Sequence, residues 1–269
     1  MSRWSALSLG VCWLLAGCNG TGTEATSDDA SYDDGTGLGA GECMDVCGTP
    51  SCGTCPQATM VDGGGFQIDA TEVDNGQYAL MLEVELDASI LPPGCDWKSG
   101  FQPDGWSDSL DPTLPVVGVD WCDAAVFCTW AGKRLCGAIG GGSTDFDSAD
   151  DPTTDQWAAA CTAAGTIAYP YGADYDGIAC NGADSGQEAL LSSGSLATCE
   201  GGVTGLFDMS GNVWEWSDAC AADPGDASTE CRRRGGSRYS DGENLRCAVN
   251  SERARGERDN AVGFRCCSD

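Results

Sequence analysis

Apolar and polar residues alternate through Val213-Trp214-Glu215-Trp216, putting Trp214 and Trp216 on one face of an extended segment and Val213 and Glu215 on the other. A turn, Ser210-Gly211-Asn212, comes just before. Read by itself, this stretch predicts a buried strand with a solvated glutamate beside a turn. Other strand-like runs are Phe66 with Ile68, Leu114–Val119, Arg233–Gly236 and Val262–Cys266. Helical spacing occurs three times. Asp74 is an N-cap with Gln77 completing a capping box, and Tyr78, Met81 and Leu82 follow on an apolar face. Asp120 caps a second helix, Trp121–Ala131, in which Ala125, Cys128 and Ala131 recur in register and Gly132 is the stop. Thr153–Ala164, with Trp157 and Cys161 one turn apart, is the third. The Gly-, Ser- and Asp-rich stretch from Gly137 to Pro152 reads as a loop insertion, and the chain is irregular again from Pro170 to Gly186. A few helices and many short strands joined by long loops predict an α+β domain. With 39 glycines, most of its mass is expected to be irregular and to need covalent cross-links.

The cysteines and the N-terminus bear on that need. Met1-Ser2-Arg3 is followed by an apolar run, Trp4–Ala16, too short to be a permanent membrane span. Leu15-Ala16-Gly17-Cys18 resembles a bacterial lipobox. Residues 1–17 are therefore predicted to be a signal peptide, with Cys18 as the lipid-bearing first residue of the mature protein. This predicts lipid anchoring in the bacterial cell envelope, at the outer membrane since Asn19 is not an obvious inner-membrane retention signal. Residues 18–42, rich in Gly, Thr, Ser and Asp, read as an acidic, self-repelling tether. A four-cysteine knot is expected over 43–59 and the main domain over 60–269. Of 18 cysteines, Cys12 leaves with the signal and Cys18 takes the lipid. Four remain in the knot and twelve from Cys95 onward, both even, as closed disulfide sets are in an oxidising compartment. Zinc at Cys43, Cys47, Cys52 and Cys55 is the weaker alternative.

A formal charge of −29 argues against nucleic acid as a partner, because phosphate binding needs clustered Lys and Arg. The absence of histidine removes the commonest general base and metal ligand.

Five separated patches carry a resemblance. They are Ile68–Tyr78; Pro115–Trp121 with Ala131–Leu135; Tyr169-Pro-Tyr-Gly172; Gly205–Trp216; and Arg234-Gly-Gly-Ser237 with Val262-Gly-Phe-Arg-Cys266. In this order they resemble the formylglycine-generating enzyme, or sulfatase-modifying factor, family over about residues 60–267. The resemblance implies a variant C-type-lectin-like fold. It also implies, for active members, oxidation of a sulfatase cysteine to formylglycine with oxygen and copper, by a cysteine pair shortly after Arg-Gly-Gly-Ser. A thiolate pair suits soft Cu(I). The matching window here, Arg238–Arg246, has no cysteine, and Cys247 matches a structural cysteine of the family. Cys231 and the adjacent Cys266-Cys267 are the possible stand-ins, and the even cysteine count argues that they are bridged. Copper is thus not expected.

The resemblance further implies disulfides Cys128–Cys266 and Cys161–Cys247. Cys122–Cys136, Cys180–Cys199 and Cys220–Cys231 are pairings suggested by proximity in sequence. Calcium is implied at Asp208, Gly211, Val213 and Glu215, through carboxylate and carbonyl oxygens, with a salt-bridged or solvated Glu215 as the alternative. A second calcium site would begin at Asn181. Lys133, Arg134, Arg234 and Arg265 either line a groove for an anion or form buried salt bridges, the latter favoured. The expected function is a surface-anchored, non-catalytic binding or structural module with a protein or glycan ligand. The alternative is an active formylglycine-generating oxidase.

Overall fold

The computed structural model describes residues 41–269. The signal peptide, the lipid at Cys18 and most of the tether expected from the sequence fall on residues 1–40, outside the described residues. Residues 41–269 lie within one compact unit. The four-cysteine segment belongs to this unit: Cys43–Cys52 and Cys47–Cys55 close it internally. The Trp130 indole N–H donates to the Cys52 carbonyl (2.8 Å) and the Cys47 N–H to the Trp130 carbonyl (2.7 Å).

Strands β1 (Met60–Asp62) and β2 (Gln67–Asp69) form a hairpin, and helix α1 (Asn75–Leu82) follows. Asp74 caps α1 in a full capping box with Gln77. Helix α2 (Trp121–Trp130) starts from a second capping box, Asp120 with Asp123. Lys98 and Arg258 pair with both of these carboxylates, so the cap also ties two distant loops to the helix. The short strand β3 (Arg134–Leu135), helix α3 (Gln156–Cys161) and the ribbon β4 (Glu200–Gly201) with β5 (Val203–Phe207) come next. The last third of the chain supplies β6 (Trp214–Cys220), β7 (Glu230–Arg234), β8 (Ser251–Ala254), β9 (Val262–Phe264) and β10 (Cys266–Ser268).

The strands make two four-stranded sheets, ordered β1-β2-β10-β3 and β8-β7-β6-β9. β6 and β9 run parallel, Trp214 opposite Val262 and Trp216 opposite Phe264. One buried cluster gathers α1, α2, Trp214, Trp216 and Phe264, with Tyr78 stacked on Phe127 at 5.5 Å. A second surrounds Trp157 of α3 with Phe66, Ile68 and Leu206. This is an α+β fold with few helices and much irregular backbone.

The structure departs from the sequence reading of strands, helices and disulfides in five places. The strand expected at Arg233–Gly236 is Glu230–Arg234, ended by Gly235 and Gly236 at φ 84° and 75°. Leu114–Val119 is not a strand and makes one isolated bridge, Asp74 to Pro115. Pro115 has no N–H to give, and Gly118 turns away at φ +73°. The third helix is shorter than Thr153–Ala164: Asp155 caps it at Ala158 N, and Ala163 and Ala164 take left-handed φ of 49° and 55°. Val262–Cys266 is two strands broken at Arg265. Finally, Cys122 pairs with Cys95, and Cys136 with Cys267, in place of Cys122–Cys136. Cys122, in the first turn of α2, meets the loop that carries Cys95, while β10 lies beside β3 and brings Cys267 to Cys136. The other bridges are Cys128–Cys266, Cys161–Cys247, Cys180–Cys199 and Cys220–Cys231.

Candidate functional site

The connection from β5 to β6 turns through three left-handed residues, Asp208 (φ 58°), Gly211 (φ 80°) and Asn212 (φ 56°). Asn and Asp tolerate this conformation better than other side chains. Glycine is required at 211, where a Cβ would come within 2.4 Å of the Asn181 carbonyl oxygen. The turn lies against Arg-Gly-Gly-Ser: Gly211 N–H donates to the Gly235 carbonyl (2.9 Å) and Arg238 N–H to the Asn212 carbonyl (3.0 Å).

Asn212 is the hub. Its amide nitrogen donates to Glu72 (3.1 and 3.2 Å) and to the Leu191 carbonyl (3.2 Å). Its amide oxygen accepts from Leu191 N–H (3.1 Å) and from Asn181 Nδ2 (3.0 Å). Asn181 therefore joins the same network as the turn and does not start a separate one. Asp208 accepts from Gly194 N–H (2.6 Å).

On β6 the strand alternation holds for the tryptophans, but Glu215 is 1 % exposed and not solvated. The break at Arg265 aims that guanidinium inward. Its Nη2 donates to Glu215 Oε1 (2.7 Å) and its Nε to Oε2 (2.7 Å), which also accepts from the Trp157 indole (2.8 Å). Arg265 further donates to the carbonyls of Asp69 (3.0 Å) and Phe207 (2.8 Å), joining the two sheets. The other rare cations are structural too. Lys133 pairs with Asp69, Arg134 with Asp269 (2.7 Å), and the buried Arg234 donates to the carbonyls of Ala149 and Cys247 and to Asn250. The salt-bridge reading holds for Lys133, Arg134 and Arg265, whereas Arg234 is buried on carbonyl and amide oxygens and has no carboxylate partner within salt-bridge distance among the described residues.

Three buried carboxyls, Glu72, Asp208 and Glu215, thus surround one buried guanidinium. Burial, Asp208 and Glu215 push the Glu72 carboxyl well above its ordinary range. Burial pushes Asp208 up to about 6. Ser193 Oγ is buried beside Glu72. The surplus of negative charge and the hard oxygen donors fit calcium, and Glu215 Oε1, with one hydrogen bond, has capacity for another contact. Among the described residues no three carboxylates converge on one metal position, so such an ion would depend on the carbonyls of Gly211 and Val213.

The window Arg238–Arg246, where the resemblance implies a thiol pair, forms a turn with no sulfur. Ala183 N–H donates to the Ser240 carbonyl (2.9 Å), Tyr169 O–H to the Gly242 carbonyl (2.9 Å), and Ser210 O–H to the Leu245 carbonyl (2.6 Å). Every described cysteine, Cys231, Cys266 and Cys267 included, is in one of eight disulfides. No described sulfur is left as a thiolate for Cu(I), so the residues do not fit copper.

Sequence reasoning missed Glu72 and Asn212, although both lie in the patches that carried the resemblance. An acidic residue between Thr71 and Val73, directly after an apolar strand, was the available signal.

A disulfide-strapped α+β domain built on the Gly-Asn-Val-Trp-Glu-Trp turn, with Arg265 locked on Glu215, defines the class of protein. The chain belongs to the sulfatase-modifying factor enzyme 1-like family, matched over residues 37–269. It is 31% identical over 140 residues to the formylglycine-generating enzyme of Thermomonospora curvata, covering 47% of this chain and 40% of that enzyme. The chain thus matches less than half the length of that relative. With the formylglycine-generating enzyme of Streptomyces coelicolor it shares 27% over 250 residues, 79% of this chain and 74% of the enzyme. The crystal structure of CarF is similar in fold, with TM-score 0.50 and 22% identity over 76% of this chain and 85% of that one.

Proposed function

We propose that this protein is a non-catalytic binding or structural module on the formylglycine-generating enzyme scaffold, displayed on the bacterial envelope by a lipid at Cys18. One observation supports the non-catalytic reading: Arg238–Arg246, where the resemblance implies a thiol pair, holds Tyr, Ser, Asp, Gly and Glu and no cysteine. Oxidation of a substrate cysteine by that route needs a thiolate pair for copper, and the described sulfurs are committed to disulfides. The lipobox-like Leu15-Ala16-Gly17-Cys18 supports the anchor.

The test is to incubate the purified protein with Cu(I), oxygen and a Cys-x-Pro-x-Arg peptide. No aldehyde product and no stoichiometric copper are expected. Turnover of the peptide would establish the oxidase instead. Palmitate labelling that disappears in Cys18→Ala is expected for the anchor, and labelling that persists would refute it.

Calcium at the turn belongs to the same proposal. Asp208 and Glu215, with the carbonyls of Gly211 and Val213, would hold it, and its charge would offset the carboxylate surplus. Removing calcium with a chelator is expected to lower Tm and readdition to restore it. A Tm indifferent to both would leave Arg265 as the sole counter-charge.

A further inference from the structure

The sulfur-free window closes one side of an open cavity of about 390 Å³ whose walls include Tyr169, Tyr175, Asp174, Asp241, Glu243 and Arg246. One wall is aromatic. Tyr169 stacks on Tyr171 (5.4 Å, 11°) and meets Tyr175 at 5.6 Å, so the rings support one another as a platform. Tyr175 is held by its hydroxyl, which donates to Asp184 (3.0 Å), and its ring lies against Gly242, where a Cβ would sit 2.9 Å from the ring carbons. It nevertheless remains 38% exposed.

The rest of the lining is acidic. Asp174, Asp241 and Glu243 share it with one guanidinium, and Arg246 is already engaged: it pairs with Glu243 (2.9 Å) and donates through Nε to the Tyr169 hydroxyl (3.2 Å). Asp241 accepts from Asn244, a neutral partner (2.9 Å), and has no ion pair among the described residues. The cavity therefore keeps net negative charge after its internal pairs are counted, beside the partly exposed Tyr175 ring, which is backed by the buried Tyr169. Anions are disfavoured there. A metal ion is disfavoured as well, since no three of the described carboxylates converge on a metal position. What fits both walls is an organic cation, attracted by ring quadrupole and carboxylate together.

We propose that the cavity between Tyr169, Tyr175 and the turn Asp241–Glu243 binds a monovalent organic cation, either the guanidinium or ammonium end of a peptide side chain or a free quaternary ammonium. This rests on the binding-module reading above and names the ligand chemistry for it.

The experiment titrates the purified full chain by NMR with N-acetyl-arginine amide, N-acetyl-lysine amide, choline and N-acetyl-citrulline amide. The cations are expected to bind saturably. Citrulline, the uncharged isostere of arginine, is expected to bind about tenfold more weakly, and raising salt is expected to weaken the cations. Preference for the amino-acid amides identifies a peptide side chain, and preference for choline identifies a quaternary ammonium. Tyr175→Ala is expected to weaken binding about fivefold or more. Gly242→Ala, which displaces the ring without removing it or any charge, is expected to act in the same direction. Either variant is read only with an unchanged circular dichroism spectrum, and one of them suffices. No saturable binding by any cation, equal binding of citrulline, or indifference to both substitutions would overturn the proposal. Failure here with no peptide oxidation defeats the cation site alone, whereas peptide oxidation defeats the binding-module reading.

Discussion

Arg265 and Glu215 are fully buried and serve as each other's counter-charge, so neither can be removed singly without stranding the other in a low dielectric. Arg265→Met is expected to cost about 3–5 kcal/mol, read as a loss of unfolding free energy in urea. Glu215→Leu combined with Arg265→Met is expected to recover roughly half or more of that loss, because an apolar pair carries no desolvation penalty. A double variant no better than the single one would show that Arg265 acts mainly through the Asp69 and Phe207 carbonyls. At this scale the sequence was informative about identity and silent about partners. Glu215 and Arg265 both stood in recognisable motifs, and strand alternation predicted a solvated Glu215. The alternation was right about which face the tryptophans share. The error lay in assuming that the other face meets water, when α3 covers it with Trp157. Nothing local to Glu72 or Asn212 could announce a contact spanning 140 positions.

Secondary elements were most legible where a backbone donor needs a local side-chain acceptor. The caps at Asp74 and Asp120 were readable because the acceptor lies within three residues of the donor. The end of α3 was not, since alanines at 163 and 164 carry no sign of a left-handed turn. Disulfides show the same limit: Cys122–Cys136 looked short along the chain, but β10 beside β3 puts Cys267, 131 residues away, next to Cys136. Cys128–Cys266 and Cys136–Cys267 run side by side, closing loops of 138 and 131 residues. Once one exists, the other closes a ring of only about ten residues. Loop entropy then assigns each bridge about 2.5–3 kcal/mol when removed alone. Because Cys161–Cys247 already shortens the outer ring to about 54 residues, removing both by Cys→Ala is expected to cost about 1.5 kcal/mol more than the sum of the singles. A thermodynamic cycle measured by denaturant unfolding checks this, and strict additivity would contradict it.

The whole molecule carries a formal charge of −29, and some of its carboxyls are buried. Burial pushes Asp155, at the start of α3, up to about 6 despite the nearby Arg234. A carboxyl raised above its unfolded value binds a proton more readily in the native state. Its contribution to stability is complete below about pH 4 and is lost as pH rises through about 6. Self-repulsion acts in the same direction. Tm is therefore expected to be higher at pH 5 than at pH 8, and Asp155→Asn, which keeps the cap, is expected to narrow the difference. A Tm that rises toward pH 8 would contradict this. At the same scale the state of the sulfurs decides between the binding module and the oxidase. A mass-spectrometric map of the folded, purified protein after alkylation counts free thiols and assigns linkages together. No alkylated cysteine from Cys43 to Cys267 and the eight pairings described here are expected; a reduced cysteine pair that takes up Cu(I) would contradict the proposal that this scaffold is non-catalytic.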